Sequence, residues 1–588
     1  MSQRWSIALF AVVMALLPVL PGIPPFWMVL LDNIGLAALV ALGLVLLTGV
    51  GGLTSFGQAA FCGFGAYTTA VLTTSLGLSP WLTLPASLVV SGLLAIVLGL
   101  VTVRLSGHYL PLGTIAWGLS LFYLFSKLEF LGRNDGISGI PPLSIGSMKM
   151  LSAGSIYYVI WAAVFISCIL TLNLLDSRVG RSIRALRRGH LAAEAFGVDT
   201  TRAKLLVFIY AAILAGLSGW LYAHFLRAVN PTPFGAQAGI EYLFIAVVGG
   251  AGQVWGAVLG SGIVVILQEM LKSEMFSRFG EGQLEIVVFG VLLVILLQVA
   301  PEGIWPRVSA FWPFGRPTTK LPVAEPLTKR PKSDIAGKAL LEVQGARKQF
   351  GGIVAVNDVS FQISPRQIVA LIGPNGAGKS TTFNLITGVL AATAGQISLL
   401  GRSIAGLPPQ EIVRRGVART FQHVKLVPDM TVLENVAIGT HLRGRAGAIS
   451  SMLRLDRRDE AKLLAEAARQ IKRVGLEGQM HQLAGNLALG QQRIVEIARA
   501  LCADPILLLL DEPAAGLRHN EKQQLASLLR LLREEGMSIL LVEHDMGFVM
   551  NLAEQIVVLD FGTKIAEGGP SEIKSNSEVV RAYLGVAA

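Results

Sequence analysis

Cysteine is the scarcest residue type in this chain of 588 residues. The three cysteines, Cys62, Cys168 and Cys502, lie far apart in apolar surroundings, and none belongs to a Cys-x-x-Cys pair. This pattern argues against a disulfide framework and against a zinc site built on cysteine pairs. We therefore expect three buried, unreactive thiols.

Charge is also scarce, but unevenly so. Charged residues make up 15% of the chain and hydrophobic residues 53%, whereas soluble globular proteins carry about 25% charged residues. The deficit lies in residues 1 to about 305, and from about 340 onward the composition is that of a soluble α/β protein. The composition thus predicts an α-helical polytopic membrane domain at 1–305 and a soluble α/β domain at 339–588.

The segment 306–338 between them is rich in Pro, Lys and Arg and has no hydrophobic period. It is typical of an extended interdomain linker. The net charge of +11 comes largely from this linker and from one loop between apolar segments. That distribution favours the positive-inside rule over nucleic-acid binding, so we expect a membrane lipid environment and no nucleic-acid partner.

The first part holds about ten apolar segments, and crossing the hydrocarbon core takes about 20 residues. The N-terminal one could be a signal peptide, but it lacks a convincing cleavage site and further spans follow, which favours a retained span. Glycines in FCGFGAY (61–67) and LAGLSGW (214–220) indicate close helix packing. The segment at 241–252 is short enough to be a broken or re-entrant helix. The ten segments are 6–20, 27–49, 56–76, 80–103, 110–128, 155–175, 205–224, 241–252, 255–271 and 284–300.

Orientation follows from the basic residues between the spans. The stretch from Arg178 to Lys204 is the most basic of these loops and should face the cytoplasm. Counting ten spans from it also places Arg104 and the N-terminus inside. The basic residues of this loop are Arg178, Arg181, Arg184, Arg187, Arg188, Arg202 and Lys204.

The strongest motif is a glycine-rich loop that follows the apolar run QIVALI (367–372) and precedes a helical pattern. Its glycines allow backbone N–H groups to approach phosphates, Lys379 supplies a positive charge to them, and Ser380 can ligate Mg²⁺. The pattern predicts a site for ATP with Mg²⁺. The loop consists of Gly373, Pro374, Asn375, Gly376, Ala377, Gly378, Lys379, Ser380 and Thr381.

The second motif is a pair of acidic residues that follows a run of four leucines in ILLLLDEP (506–513). Such a run indicates a buried strand, and Asp511 at its carboxyl end can hold Mg²⁺. Glu512 beside it is placed to polarise the attacking water. A surface acidic pair is the alternative, and it becomes weak once the phosphate-binding loop is considered.

Together these motifs resemble the ATPases of ABC transporters over roughly 339–588. The resemblance implies that Phe350 stacks on adenine, although alone it would be read as a core residue. It also implies that Gln422 in RTFQHV contacts Mg²⁺ and the membrane partner, and that His544 in LLVEHDM contacts the γ-phosphate.

The family's signature sequence is only partly matched, by Leu487, Ala488, Leu489, Gly490 and Gln491. The usual serine is replaced at Ala488, and Arg518 replaces the common aspartate of the following loop. With NLALGQQR, DEPAAGL, VEHDM and RAYLG, these departures resemble the ATPases of branched-chain amino acid importers, in which they are familiar.

The first 305 residues are similar to the permease subunit of the same importers. The matching phrases include GGLTSFGQAAFCGFGAYTTAVL (51–72), RLSGHYLPLGTIAWG (104–118), NDGISGIPPL (134–143) and VVGGAGQVWGAVLG (247–260). The loop 177–204 occupies the position of the coupling helix that docks on the ATPase, and a merely solvated basic loop is the alternative. The intramembrane polar groups Asp32, Asn33 and Gln58 are costly and therefore candidates for function, but the sequence does not assign a substrate site to them. Asp32, however, lies near the outer end of a span, where contact with lipid headgroups is an equal alternative.

These resemblances imply an importer in the bacterial inner membrane, with its permease and ATPase fused and the ATPase in the cytoplasm. Each ATP would lie between two cassettes, so a second permease and a second ATPase are expected, as another chain or in a homodimer. An external solute-binding protein is implied too. Alternatives are a urea or amide importer, an exporter half-transporter, a soluble ABC ATPase with an unrelated anchor, and an ATP-dependent signalling complex.

Overall fold

The computed structural model describes residues 3–20, 22, 24–105, 107, 109–187, 189–272, 284–310, 324–330 and 339–584. The chain forms two compact units: Met1–Asp176 with Thr201–Thr319, and Ser177–Thr200 with Lys320–Ala588. Residues 177–200 thus belong to the same unit as the C-terminal domain. The domain bounds 1–305, 306–338 and 339–588 remain predictions, and much of the predicted linker lies outside the described residues.

The first unit is helical, apart from two small two-stranded pairs. β1 (Ile137–Ser138) pairs with β4 (Ala228–Val229), and β2 (Ser144–Ile145) pairs with β3 (Met148–Lys149). Its helices are α1 (Gln3–Leu16), α2 (Pro25–Leu44), α3 (Gln58–Thr74), α4 (Pro80–Thr102), α5 (Tyr109–Lys127), α6 (Ala153–Leu175), α9 (Thr200–Leu226), α10 (Ala236–Gly249), α11 (Val254–Lys272), α12 (Leu284–Val299) and α13 (Trp305–Ala310).

Each of the ten predicted membrane segments coincides with one of these helices. The short segment predicted at 241–252 is part of α10, which has 14 residues and is too short to cross the hydrocarbon core by itself. The described helices long and apolar enough to cross a membrane number six: Pro25–Val50, Pro80–Thr102, Tyr109–Lys127, Ala153–Leu175, Thr200–Leu226 and Val254–Leu271.

Glycines bring α3 and α9 into backbone contact. A Cβ added to Gly65 would clash with the carbonyl of Gly216, and one added to Gly219 would clash with the carbonyl of Cys62. The packing role predicted for these glycines is confirmed. Small residues of this kind let two membrane helices approach more closely than larger side chains allow.

The second unit begins with α7 (Arg178–Leu186) and α8 (His190–Glu194) and continues as an α/β domain. Its strands are β5 (Leu341–Phe350), β6 (Ile353–Ile363), β7 (Ile368–Ile372), β8 (Ala394–Leu399), β9 (Arg402–Ser403), β10 (Val417–Arg419), β11 (Leu507–Asp511), β12 (Ser538–Val542), β13 (Gln555–Asp560) and β14 (Thr563–Gly568). Its remaining helices are α14 (Lys379–Ile386), α15 (Pro409–Arg414), α16 (Val432–Ala437), α17 (Ala448–Met452), α18 (Arg457–Arg473), α19 (Leu489–Leu501), α20 (His519–Glu534), α21 (Met546–Leu552), α22 (Pro570–Ser575) and α23 (Ser577–Leu584).

Two sheets organise this domain. The larger has the order β10-β11-β12-β7-β13-β14, and all of its strands are parallel except β14. The smaller is antiparallel, with the order β6-β5-β8-β9. Every residue of β7, β11 and β12 is buried, because a parallel sheet is covered on both faces. The carboxyl ends of these strands therefore lie side by side, and the loops that follow them form one edge of the domain.

The close packing of α3 on α9 predicts a strong position dependence for added methyl groups. We expect Gly65→Ala to lower the free energy of unfolding by about 1–3 kcal/mol or more, because the clashing atom belongs to the backbone and cannot rotate away. Gly262→Ala on α11 is the matched control, since nothing lies within 4 Å of its added Cβ. Melting of the detergent-solubilised chain tests this, and equal midpoints for the two variants would contradict the packing argument.

Candidate functional site

The glycine-rich loop lies between β7 and α14, as the sequence indicates. Gly376 and Gly378 adopt φ values of 83° and 92°, which disfavour any side chain. A Cβ at Gly378 would also lie 2.5 Å from the carbonyl oxygen of Ala355. The glycines thus shape a loop whose backbone can approach a phosphate closely, and α14 begins directly after it with its N–H groups facing the loop.

Lys379 is folded back onto this loop. Its Nζ donates to the carbonyl oxygens of Gly373 and Pro374, both at 2.8 Å. Burial lowers the pKa of the Lys379 ammonium, and the nearby carboxylates of Glu512 and Asp511 oppose that shift. The ammonium is therefore held at the loop by two neutral carbonyl groups, which are weaker partners than a phosphate.

Asp511 is the last residue of the buried strand β11, and Glu512 follows it. The backbone N–H of Asp511 donates to Thr420 Oγ1 at 3.2 Å, and the Arg419 guanidinium lies 3.7 Å from its Oδ2. Burial raises the pKa of the Asp511 carboxyl, and Arg419 opposes the increase. The carboxylate thus lies at the same edge of the parallel sheet as the loop after β7, with β12 between the two strands.

Three predicted catalytic residues meet at one oxygen atom. Gln422 Nε2 donates to Glu512 Oε1 at 3.0 Å, and His544 Nε2 lies 3.1 Å from the same Oε1. Glu512 itself has a φ of 47°, an uncommon value for a residue with a side chain. Arg493 Nη1 donates to its carbonyl oxygen at 2.6 Å and helps to hold that conformation. The roles of these residues stay predictions, but their side chains converge.

Glu543 is a functional candidate that sequence reasoning missed. Its side chain is 2% exposed, Oε1 accepts from the Ala514 N–H at 2.6 Å and Oε2 accepts from the His544 N–H at 3.1 Å. Burial raises the pKa of this carboxyl, and the three backbone N–H groups it accepts oppose the rise. Glu543 thereby connects the loop after Glu512 to His544 through hydrogen bonds. The available signal was an acidic residue directly after the buried strand β12, the same pattern that marked Asp511.

Of the other predicted ATP contacts, Phe350, Ala488 and Leu489 are exposed, whereas Leu487 is buried. Phe350 is 46% exposed, with Lys348 Nζ 5.0 Å from its ring centre, so it is a surface aromatic and not a core residue. Ala488 is the N-cap of α19 and Leu489 is 55% exposed. In the described part of the chain no hydrogen bond or ion pair joins the signature residues to the phosphate-binding loop. The signature is thus available to something outside this cassette.

The basic loop docks on the C-terminal domain. Glu460 accepts from Arg181 at both carboxylate oxygens, and the two side chains are only 5% and 7% exposed. The Arg178 N–H donates to the same carboxylate at 3.1 Å. Arg184 pairs with Glu434 at 3.2 Å in a more exposed position. These contacts favour the coupling role over a merely solvated basic loop.

Docking continues through Phe196. Its ring lies 4.1 Å from the guanidinium carbon of Arg499, which is buried on α19. Arg499 pairs with Glu496 at 2.8 Å and donates to the carbonyl oxygen of Lys425 at 2.9 Å. The Lys425 N–H donates to Glu496 at 2.8 Å. Since Lys425 follows Gln422 by three residues, the coupling segment (177–200) contacts the region where the sequence analysis placed its docking site.

The structure buries two of the three polar candidates in the first unit. Asp32 is 0% exposed and Gln58 is 1% exposed, so the headgroup contact considered for Asp32 is wrong. Within the described residues neither side chain has a hydrogen-bond partner. Asn33 is exposed. The helices packed around α2 bury Asp32 although its sequence position suggested a span end.

Comparisons with known proteins match both units. A family model described as branched-chain amino acid transport system, permease component, matches residues 28–297. A model described as ABC transporter matches 356–515, and one described as branched-chain amino acid ATP-binding cassette transporter matches 563–588.

Similar curated proteins cover the cassette. The high-affinity branched-chain amino acid transport ATP-binding protein LivG of Salmonella typhimurium is 47% identical over 251 residues, which is 42% of this chain and 98% of LivG. BraF of Pseudomonas aeruginosa, with the same description, is 43% identical over 253 residues, 42% of this chain and 99% of BraF. A probable LivG of Archaeoglobus fulgidus is 35% identical over 246 residues, 42% of this chain and 95% of that protein.

The Arg181–Glu460 pair predicts how firmly the coupling segment is docked. Arg181→Ala leaves a buried carboxylate unpaired, which costs about 3–5 kcal/mol, so amide hydrogen exchange in Arg178–Leu186 should accelerate by roughly a hundredfold or more. Arg184→Ala is the matched control, because its pair is about one-third exposed and such pairs contribute about 0–1 kcal/mol. Similar exchange rates in both variants would show that the buried pair does not hold the segment.

Proposed function

The chain belongs to the family of branched-chain amino acid ABC transporters, and we propose that it imports leucine, isoleucine and valine across the bacterial inner membrane at the expense of ATP. It is a membrane protein in which a permease and an ATP-binding cassette are fused. The docking of the coupling segment on the cassette carries the proposal, because ATP hydrolysis drives transport only where the two parts are mechanically joined.

Branched-chain amino acids are preferred as substrates because LivG and BraF are described by their transport. An importer of urea or amides is the second candidate, and an exporter half-transporter is a weaker one. The compact docking segment of two short helices, α7 and α8, favours import, since exporters of that kind have long cytoplasmic helical extensions.

ATP is bound by the cassette, and its own residues have distinct tasks. The phosphate-binding loop and Lys379 hold the phosphates, with Lys379 exchanging its two carbonyl partners for phosphate oxygens. Glu512 accepts a proton from the attacking water, and His544 and Gln422 position the Glu512 carboxylate through its Oε1. Phe350 offers an exposed ring to adenine.

The residues present fit Mg²⁺. Among the described residues no cluster of three or more His, Cys, Asp or Glu could hold a metal by itself. Mg²⁺ in nucleotide sites, however, takes one or two protein oxygens together with substrate phosphates. Ser380, Gln422 and Asp511 supply hydroxyl, amide and carboxylate oxygens of that kind. The ion would neutralise charge that develops on the transferred phosphoryl group.

We place the cassette and the N-terminus in the cytoplasm, where ATP is available and where the positive-inside rule locates the coupling segment. An external solute-binding protein would deliver the amino acid. A second permease and a second cassette complete the assembly, because the exposed signature of one cassette must face the phosphate-binding loop of another. We propose a different permease–ATPase chain as the companion, because a homodimer would repeat the departures Ala488 and Arg518 at both ATP sites.

Glu512→Gln tests the hydrolytic assignment. The amide keeps the shape of the carboxylate but cannot accept a proton, so ATP binding should persist while hydrolysis falls by at least about 100-fold. Glu477→Gln, at an exposed position of the cassette, is the control and should turn over normally. ATPase rate and nucleotide affinity are measured on the purified assembly. A Glu512→Gln variant with near-normal turnover would refute the assignment.

Assembly and import are tested together. We expect the tagged chain, purified from its host, to carry a distinct permease and ATPase in equal amounts. The mixture should accumulate leucine in vesicles only when ATP and a binding protein are supplied. Uptake by the chain alone as a dimer would overturn the hetero-assembly, whereas uptake of urea but not leucine would overturn the substrate.

A further inference from the structure

The backbone of the membrane unit is interrupted between α2 and α3. After Leu44 the chain forms a π-helical turn, Val45–Val50, and then runs without helix through 51–57 before α3 begins at Gln58. Non-helical backbone inside a membrane is tolerated only where it is buried in protein or lines a cavity, and Gly51, Leu53, Ser55 and Gly57 of this stretch are buried. Both π-helical turns and broken helices are frequent at functional sites of proteins.

Backbone N–H groups of the non-helical stretch find hydrogen-bond acceptors, whereas the start of α3 lacks a side-chain acceptor. The Leu53 N–H donates to the Leu47 carbonyl at 3.0 Å, and the Phe56 N–H donates to Thr114 Oγ1 at 3.1 Å. The first N–H groups of a helix, however, have no acceptor within it. The N-cap of α3 is Gly57, which has no side chain to accept from them. The Ala60 N–H reaches the Gly57 carbonyl at 3.2 Å, whereas the N–H groups of the first two helical residues have no acceptor among the described residues. The 17-residue helix therefore begins with two free donors and a partial positive charge.

Gln58 places an amide at the same point. Its side chain is 1% exposed, and neither Oε1 nor Nε2 has a partner among the described residues. Because helical side chains lean toward the N-terminus, the amide of this first helical residue is directed to the end of α3 where the N–H groups are free. A buried amide without partners is unfavourable, so its presence in a native structure requires an explanation.

Trp117 on α5 adds another donor. Its Nε1 is buried and has no partner in the described part of the chain. Its ring is in contact with the position of Gly57, because a Cβ added there would clash with the indole. Phe61, one turn below Gln58 on the same face of α3, has its ring centre 5.2 Å from Trp117 and 5.7 Å from Phe208. The donors thus lie beside an aromatic cluster.

We propose that the N-terminus of α3, with Gln58 Nε2 and Trp117 Nε1, binds the α-carboxylate of the transported amino acid, and that Phe61 and Phe208 contact its apolar side chain. The proposal rests on the proposed import of apolar amino acids. A carboxylate accepts from all three kinds of donor, and the helix N-terminus favours its charge. Urea has no carboxylate and offers these donors only one neutral carbonyl oxygen, which is a weaker acceptor.

The test compares ligands and variants on the full chain purified with its companion subunits in lipid nanodiscs. L-leucine should raise the melting midpoint, whereas L-leucinol, which carries a hydroxymethyl group in place of the carboxylate, should not. Gln58→Glu replaces the donor by a like charge at the same length and should weaken leucine binding at least tenfold. Trp117→Phe removes only the N–H and should weaken it several-fold. Ser91→Ala, at another buried and unpartnered polar side chain, is the control and should bind normally.

Equal stabilisation by leucine and leucinol would overturn the subsite, as would unchanged leucine binding in both variants. If Gln58→Glu fails to fold, the ligand comparison on the unaltered chain and the Trp117→Phe variant decide the question. ATP-driven uptake is measured in parallel. Carboxylate-dependent binding without leucine uptake would contradict the proposed function but support the subsite. Leucine uptake without carboxylate-dependent binding would support the proposed function but contradict the subsite.

Discussion

The buried guanidinium of Arg499 joins three parts of the cassette. A charge in this position is tolerated only if it is paired and hydrogen-bonded. Its partners are the carboxylate of Glu496, the carbonyl of Lys425 and the ring of Phe196. Burial lowers the pKa of Arg499, and Glu496 opposes that shift. Movement of the stretch after Gln422 or of the coupling segment away from α19 would therefore remove a contact of this charge, whereas Glu496 lies on the same helix and stays paired with it.

This constraint connects the docking surface with the chemistry of the site. Phe196 contacts Arg499, and Arg499 contacts Lys425, three residues from Gln422. Gln422 in turn shares Glu512 Oε1 with His544. The other end of α19 carries the signature residues. One buried ion pair thus lies between the coupling segment, the stretch that leads from Gln422 to Glu512, and the helix that carries the signature residues. Double-mutant cycles between Phe196 and Gln422 would measure how much energy passes along it.

The features that could be predicted from the sequence were those set by local chemistry. Apolar length predicted a helix at each of ten segments, and the phosphate-binding loop required glycines at positions whose backbone only glycine adopts easily, such as Gly376 and Gly378. Residues positioned by distant chain segments were harder. Glu543 acts by accepting backbone N–H groups from Ala514 and His544. Its place after a buried strand was visible in the sequence, but these two partners were not. Asp32 is buried by neighbouring helices although its sequence position suggested a headgroup contact.

The altered signature also has a physical consequence. Ala488 lacks the hydroxyl that a serine N-cap would offer to the free N–H groups of α19. Gln491 Oε1 accepts the Ala488 N–H at 3.4 Å, but the helix receives no side-chain cap in return. Within the described residues its first N–H groups therefore have no side-chain acceptor, and a phosphate is a stronger acceptor for them than a hydroxyl. At the start of α20, Arg518 adds an exposed cation on the loop that follows Glu512. Where the usual signature offers a hydroxyl, this cassette offers backbone N–H donors, and Arg518 adds a positive charge. An anion site is thus retained, but the groups that would face the proposed partner cassette differ.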